Sequence, residues 1–128
     1  MLVIQHVTLL TPDHVLPRDH EQAILVGRIW TENLGPTLVR VCADHVYDIS
    51  GLAPTSTALL EMIDPVGAIR DIASPRIGNT AAILANSAQD QHRGDTSWFL
   101  APCDLQAIKA AGVTFVASML ERVIEEQA

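Results

Sequence analysis

Five histidines are the first residues of this chain whose type could do chemistry: His6, His14, His20, His45 and His92. A zinc ion is usually held by side chains within about five positions of each other on one element, backed by carboxylates that orient the imidazoles. Spacings of eight and six between the first three do not supply that pattern. His45 falls at a predicted turn and His92 in a polar stretch, so the histidines read as solvated. Cys42 and Cys103 are the two cysteines, far apart and outside any Cys-x-x-Cys spacing. They read as buried small hydrophobes of a reducing compartment. Cys103 follows Pro102 with no basic sequence neighbour to stabilise a thiolate. The common nucleophile, zincin and phosphate-loop patterns are absent from the chain. Asp64 and Asp71 lie two helical turns apart, and their ordinary reading is a cap and a solvated carboxylate. A denser group is C-terminal: Ser118, Glu121, Arg122 and Glu125 are spaced i, i+3, i+4, i+7 and share one side of a helix.

The elements that must position these residues follow from period and punctuation. Residues 23–30 are rich in β-branched side chains and read as a strand, with Gly27 marking a bulge or a close backbone approach. A turn at 33–36 precedes a β-hairpin over 37–49, its two runs separated by Ala43 and Asp44. Leu38, Arg40 and Cys42 share one face of the first run, and Thr37, Val39 and Val41 the other. After Gly51 the period changes. Thr55 to Thr57 can cap a short helix through Glu61. Asp64 as cap with Pro65 at the first helical position opens a second, running toward Ile72. Asn79 can cap a third over 80–84, followed by a polar loop over 86–96 and a short apolar run over 98–100. Residues 1–22 follow no periodic pattern.

The last helix, 116–128, carries Val116, Met119, Leu120, Val123, Ile124 and Gln127 on one side. Glu125 and Glu126 place negative charge at the negative end of the helix dipole, which is unfavourable. The chain therefore reads as cut from a longer one.

With 128 residues, 48% of them apolar and 18% charged, the chain can bury a core and is not disordered. Eight basic against 15 acidic residues give a net charge of −7. That balance excludes a broad basic face for nucleic acid and disfavours an anionic membrane surface. The N-terminal apolar run lacks the basic flank of a signal peptide and stops at Gln5 and His6, short of the ~20 residues a membrane span needs. A cytoplasmic protein is the expectation.

Residues 98–118 resemble the opening of the catalytic domain in the fumarylacetoacetate hydrolase family. The resemblance rests on Leu100-Ala101-Pro102, then Ala111-Gly112-Val113-Thr114-Phe115 with Ser118, then Arg122 and Glu125-Glu126. Gly27-Arg28-Ile29-Trp30, Tyr47-Asp48-Ile49 and residues 56–70 are similar to the family's small N-terminal domain, so the resemblance covers most of 23–128. It implies an N-terminal extension over 1–22, a small α+β domain over 23–97, and the start of a truncated catalytic domain over 98–128. The expected fold is α+β: a small antiparallel sheet with a β-hairpin and short packed helices, ending in an amphipathic helix that belongs to a missing catalytic domain.

The family's magnesium or manganese is held by a Glu-x-Glu pair and an Asp farther downstream, and no Glu-x-Glu occurs here. The resemblance therefore implies a metal in the parent enzyme and none in this chain. No His follows His92, which leans away from simple C–C hydrolysis toward the branch resembling 2-keto-3-deoxy sugar-acid dehydratases. It implies a small 2-oxo acid substrate, Glu121 and Glu125 as acid/base groups, and Ser118 and Arg122 as contacts to substrate oxygens. The parent is expected to be a homo-oligomer, and the 128 residues alone to be inactive. The competing readings are a solvated helix face of no catalytic meaning and, for the whole chain, a non-catalytic module serving oligomer contacts or shaping a neighbouring active site.

Overall fold

A computed structural model describes residues 10–110 and 116–126, the side chains of 116–119 and 122 excepted. Five strands form one antiparallel sheet: β1 (Leu25–Thr31), β2 (Gly35–Val41), β3 (His45–Asp48), β4 (Arg76–Asn79) and β5 (Trp98–Leu100), in the order β4-β3-β2-β1-β5. Five helices accompany it: α1 (Pro12–Val15), α2 (Ser56–Leu60), α3 (Pro65–Asp71), α4 (Thr80–Ser87) and α5 (Val116–Glu126). The α+β class expected from sequence is the class observed.

The predicted hairpin forms in the expected place, with Arg40 opposite Tyr47 and Val41 opposite Val46. Strand alternation then splits β2 between two cores. Val39 and Val41 join Ile29, Val46 and Ile83 of α4 on one face. Leu38 joins Ile49, Ala53, Leu59 and Ile69 on the other, beneath α2 and α3. A sheet covered on both faces explains why the adjacent β2 residues Leu38 and Val39 are both buried, at 2% and 0% exposure. Each fully buried aliphatic side chain contributes roughly 1.5–3 kcal/mol by leaving water. Gly35, which opens β2, has φ +70°, a conformation that glycine adopts without a Cβ clash.

Three expected caps are present. Thr55 Oγ1 accepts the Ala58 N–H at 3.0 Å, Asp64 Oδ1 the Gly67 N–H at 2.9 Å, and Asn79 Oδ1 the Ala82 N–H at 3.0 Å. Each satisfies a donor that the first helical turn would otherwise leave unpaired.

Several expectations need correction. Gly27 marks no bulge, since β1 pairs regularly through it with Gly27 opposite Val39; the irregularity lies between Val46 and Tyr47. Strand β4 and the single turn α1 had no readable period, being four residues each. Helix α4 runs past Leu84 through Ser87, so Asn86 is helical and not the start of a loop. Cys42 and Cys103 are free and half-buried, not buried. Among the described residues no helix is long and apolar enough to cross a membrane.

Candidate functional site

The residues singled out by sequence lie on α5. Positions 118, 121, 122 and 125 fall on one eleven-residue helix, with the side chains of Glu121 and Glu125 described and those of Ser118 and Arg122 outside the described ones. Glu121 and Glu125 are exposed, and among the described residues neither forms an ion pair. Two carboxylates one turn apart can offer a proton donor and an acceptor to the same face, but chemistry needs a second surface to enclose the substrate. No described residue of the sheet supplies a hydrogen bond to either carboxylate. The apolar side of α5 is equally open, with Leu120, Val123 and Ile124 at 57%, 46% and 68% exposure. The segment 111–115, which carries most of the family-like motif, lies outside the described residues, as do His6 and Gln127.

The structure assembles a different polar centre just upstream. Asp104 is 8% exposed, and its carboxylate collects donors from α2. It accepts the Ser56 N–H at 2.7 Å, the Thr57 N–H at 3.1 Å and the Thr57 hydroxyl at 2.7 Å. It also accepts the Leu105 N–H at 2.7 Å. Together with the Thr55 cap, Asp104 thus occupies the first three N–H groups of α2. Burial alone would push this carboxyl's pKa up; the Thr57 hydroxyl and the surrounding N–H groups outweigh it and hold the pKa far below the usual carboxylate range.

Arg28 completes the centre from β1. Its Nε lies 3.6 Å from Asp104 Oδ2, and its Nη1 donates to the carbonyls of Ala101 at 3.3 Å and Cys103 at 2.9 Å. The Ser56 hydroxyl donates to the Pro102 carbonyl at 2.7 Å. Residues 101–104 are therefore pinned to β1 and α2 by side chains. A carboxylate so saturated with donors is a poor general base and a good strut. It sets the point from which the chain departs toward α5. Sequence reading missed it because every partner of the Asp104 carboxylate except Leu105 lies 47 to 76 positions back along the chain.

A second cluster was also missed. Asn86 is buried at 4% exposure, and its amide serves the loop that follows. Nδ2 faces the carbonyls of Arg93, Thr96 and Ser97 at 3.2, 2.8 and 3.2 Å, while Oδ1 accepts the Arg93 N–H at 2.7 Å. The loop so held stacks His92 on Trp98 with centroids 4.6 Å apart, and Trp98 stacks on Trp30 at 5.9 Å. An asparagine placed directly after the apolar run 81–85 and before a polar, glycine-containing stretch is the sequence signal that could have found it.

Neither cluster is a metal centre. Among the described residues, no three His, Cys, Asp or Glu side chains converge to hold an ion. The donors present do not fit the oxygen-rich cage that magnesium or manganese requires. Compared with known protein families, with curated proteins and with solved structures, the chain matches none.

Proposed function

We propose that this chain is the N-terminal part of a divalent-metal-dependent enzyme of the fumarylacetoacetate hydrolase family that acts on a 2-oxo acid, by dehydration or C–C hydrolysis. The motif-bearing residues 98–126 support the reading. The observation that carries it is α5, which displays Glu121 and Glu125 on an exposed helix while leaving Leu120, Val123 and Ile124 in water. An apolar side this open is the seam expected of a helix that packs into a further domain. In that setting Glu121 and Glu125 would exchange protons with substrate, and Ser118 and Arg122 would contact its oxygens. The metal ligands would belong to the further domain, because the residues described here form no such set. The parent enzyme is proposed to be a cytoplasmic homo-oligomer with no nucleic-acid or membrane partner.

One observation favours the second reading, a non-catalytic α+β module. Both faces of the sheet are covered by the chain's own helices, so the body over 24–104 has its cores without help from a neighbour.

The two readings separate on the gene. Extending the chain in frame past Ala128 and assaying both proteins with magnesium or manganese and a panel of 2-keto-3-deoxy sugar acids decides between them. An extended protein that turns over substrate while the 128-residue chain does not supports the enzyme reading. A stop codon directly after Ala128, or an extension without paired acidic ligands, overturns it.

A further inference from the structure

An apolar groove of about 400 Å³ crosses the sheet face that carries α4. Val41, Gly27 and Phe99 line its floor, with Leu84 on the α4 side and Leu16 on the side next to α1. Leu10, the first described residue, also lines it. The hydroxyls at its margin are already engaged: Thr80 Oγ1 donates to the Cys42 carbonyl at 2.6 Å and Ser87 Oγ to the Ile83 carbonyl at 2.7 Å. The groove therefore offers contact to carbon and almost no free polar group, which suits an apolar occupant.

We propose that this occupant is the chain's own segment 1–9. Those nine residues join the groove directly through Leu10, so their local concentration at its mouth is high without any spacer. Extended, they span up to ~30 Å, enough to run the length of such a groove. Six of them, Met1, Leu2, Val3, Ile4, Val7 and Leu9, are apolar, and the segment contains no Asp, Glu, Lys or Arg. No charged side chain has to be desolvated on entry. The other open apolar segment, α5, would bring Glu121, Glu125 and Glu126 with it. Gly27 contributes by keeping the floor hollow. A Cβ there would sit 3.5 Å from Val41 Cγ2 and 3.8 Å from the Phe99 ring, in ordinary contact, so a larger side chain can fill the space without breaking the strand. The inference does not depend on the family reading.

Methyl NMR on the full 128-residue chain tests it, with an isotope-filtered mixture of labelled and unlabelled protein to separate contacts within and between copies. The expected result is intramolecular contact between the methyls of Val3, Ile4 or Val7 and those of Val41 or Leu84. Gly27→Leu keeps all nine residues and occupies their seat, so subtilisin should cut within 1–9 about tenfold faster than in wild type. The proposal is overturned by contacts from α5, by contacts from a second copy, by no contacts, or by unchanged cleavage in Gly27→Leu.

Discussion

Ser87 Oγ accepts the backbone N–H of Phe99 at 2.7 Å while donating to the Ile83 carbonyl at 2.7 Å. Phe99 is the middle residue of β5, an edge strand, and its N–H points away from the sheet because the other side of β5 pairs with β1. An unpaired edge donor is a template for pairing with another chain. The last residue of α4 closes that template with a hydroxyl. Replacing it by Ala leaves the Phe99 N–H without this partner and should cost about 1 kcal/mol, the usual net value of such a bond. Urea denaturation of Ser87→Ala, with amide exchange at Phe99 alongside, checks both parts. Exchange at Phe99 as slow as in wild type would show that the hydroxyl does not protect the edge.

The Asp104 strut makes a prediction about acid. Its folded pKa is depressed, so its contribution to stability is fully present above the unfolded value, ~3.9, and is lost as pH falls below it toward the lower folded value. Wild-type stability should therefore fall steeply below about pH 4. Asp104→Asn should be less stable at neutral pH and should lose less on acidification. Denaturation midpoints across that range, compared for the two proteins, measure the difference in slope. Parallel curves would mean that Asp104 is not a source of the acid sensitivity.

Asn86→Ala removes one side chain that serves four backbone groups of its loop. Buried partners left unpaired cost about 1–3 kcal/mol each when water cannot reach them, and this loop is partly open, so the expected loss is about 2 kcal/mol. His92 and Trp98 should also separate, since the loop that holds the ring would relax. Tryptophan fluorescence reads that separation independently of stability. An unchanged spectrum in a destabilised variant would show that the stack holds itself.

The contrast between what was legible in the sequence and what was not follows contact range. The caps at Thr55, Asp64 and Asn79 were readable because cap and recipient lie three residues apart. The hairpin was readable because alternation and a short turn are local signals. Arg28 with Asp104 was not, because two charged residues so far apart in sequence reveal nothing until the sheet brings β1 beside the segment after β5. Strand β4 was missed for the same reason: four residues with a glycine become a strand only by pairing with β3. The helix that carries Glu121 and Glu125 was legible from its own period, which is again a local signal.

The open side of α5 yields the remaining prediction. Leu120, Val123 and Ile124 sit at i, i+3 and i+4 and are more than two-fifths exposed. At roughly 25 cal/mol per Å² of apolar surface, covering three such side chains is worth a few kcal/mol. That gain is available to any two chains that align these helices, and a two-fold arrangement covers both stripes at once. The 128-residue chain should therefore self-associate at high concentration, with a dimer as the first species. Leu120→Glu with Ile124→Glu places like charges beside Glu121 and Glu125 on both partners and should return the protein to monomer while leaving its thermal midpoint within a few degrees, because neither side chain belongs to the two cores of the sheet. Light scattering over a concentration series on both proteins makes the comparison. A wild type that stays monomeric at every concentration would show that α5 covers its stripe by other means, and a double variant that dimerises like wild type would place the contact elsewhere on the molecule.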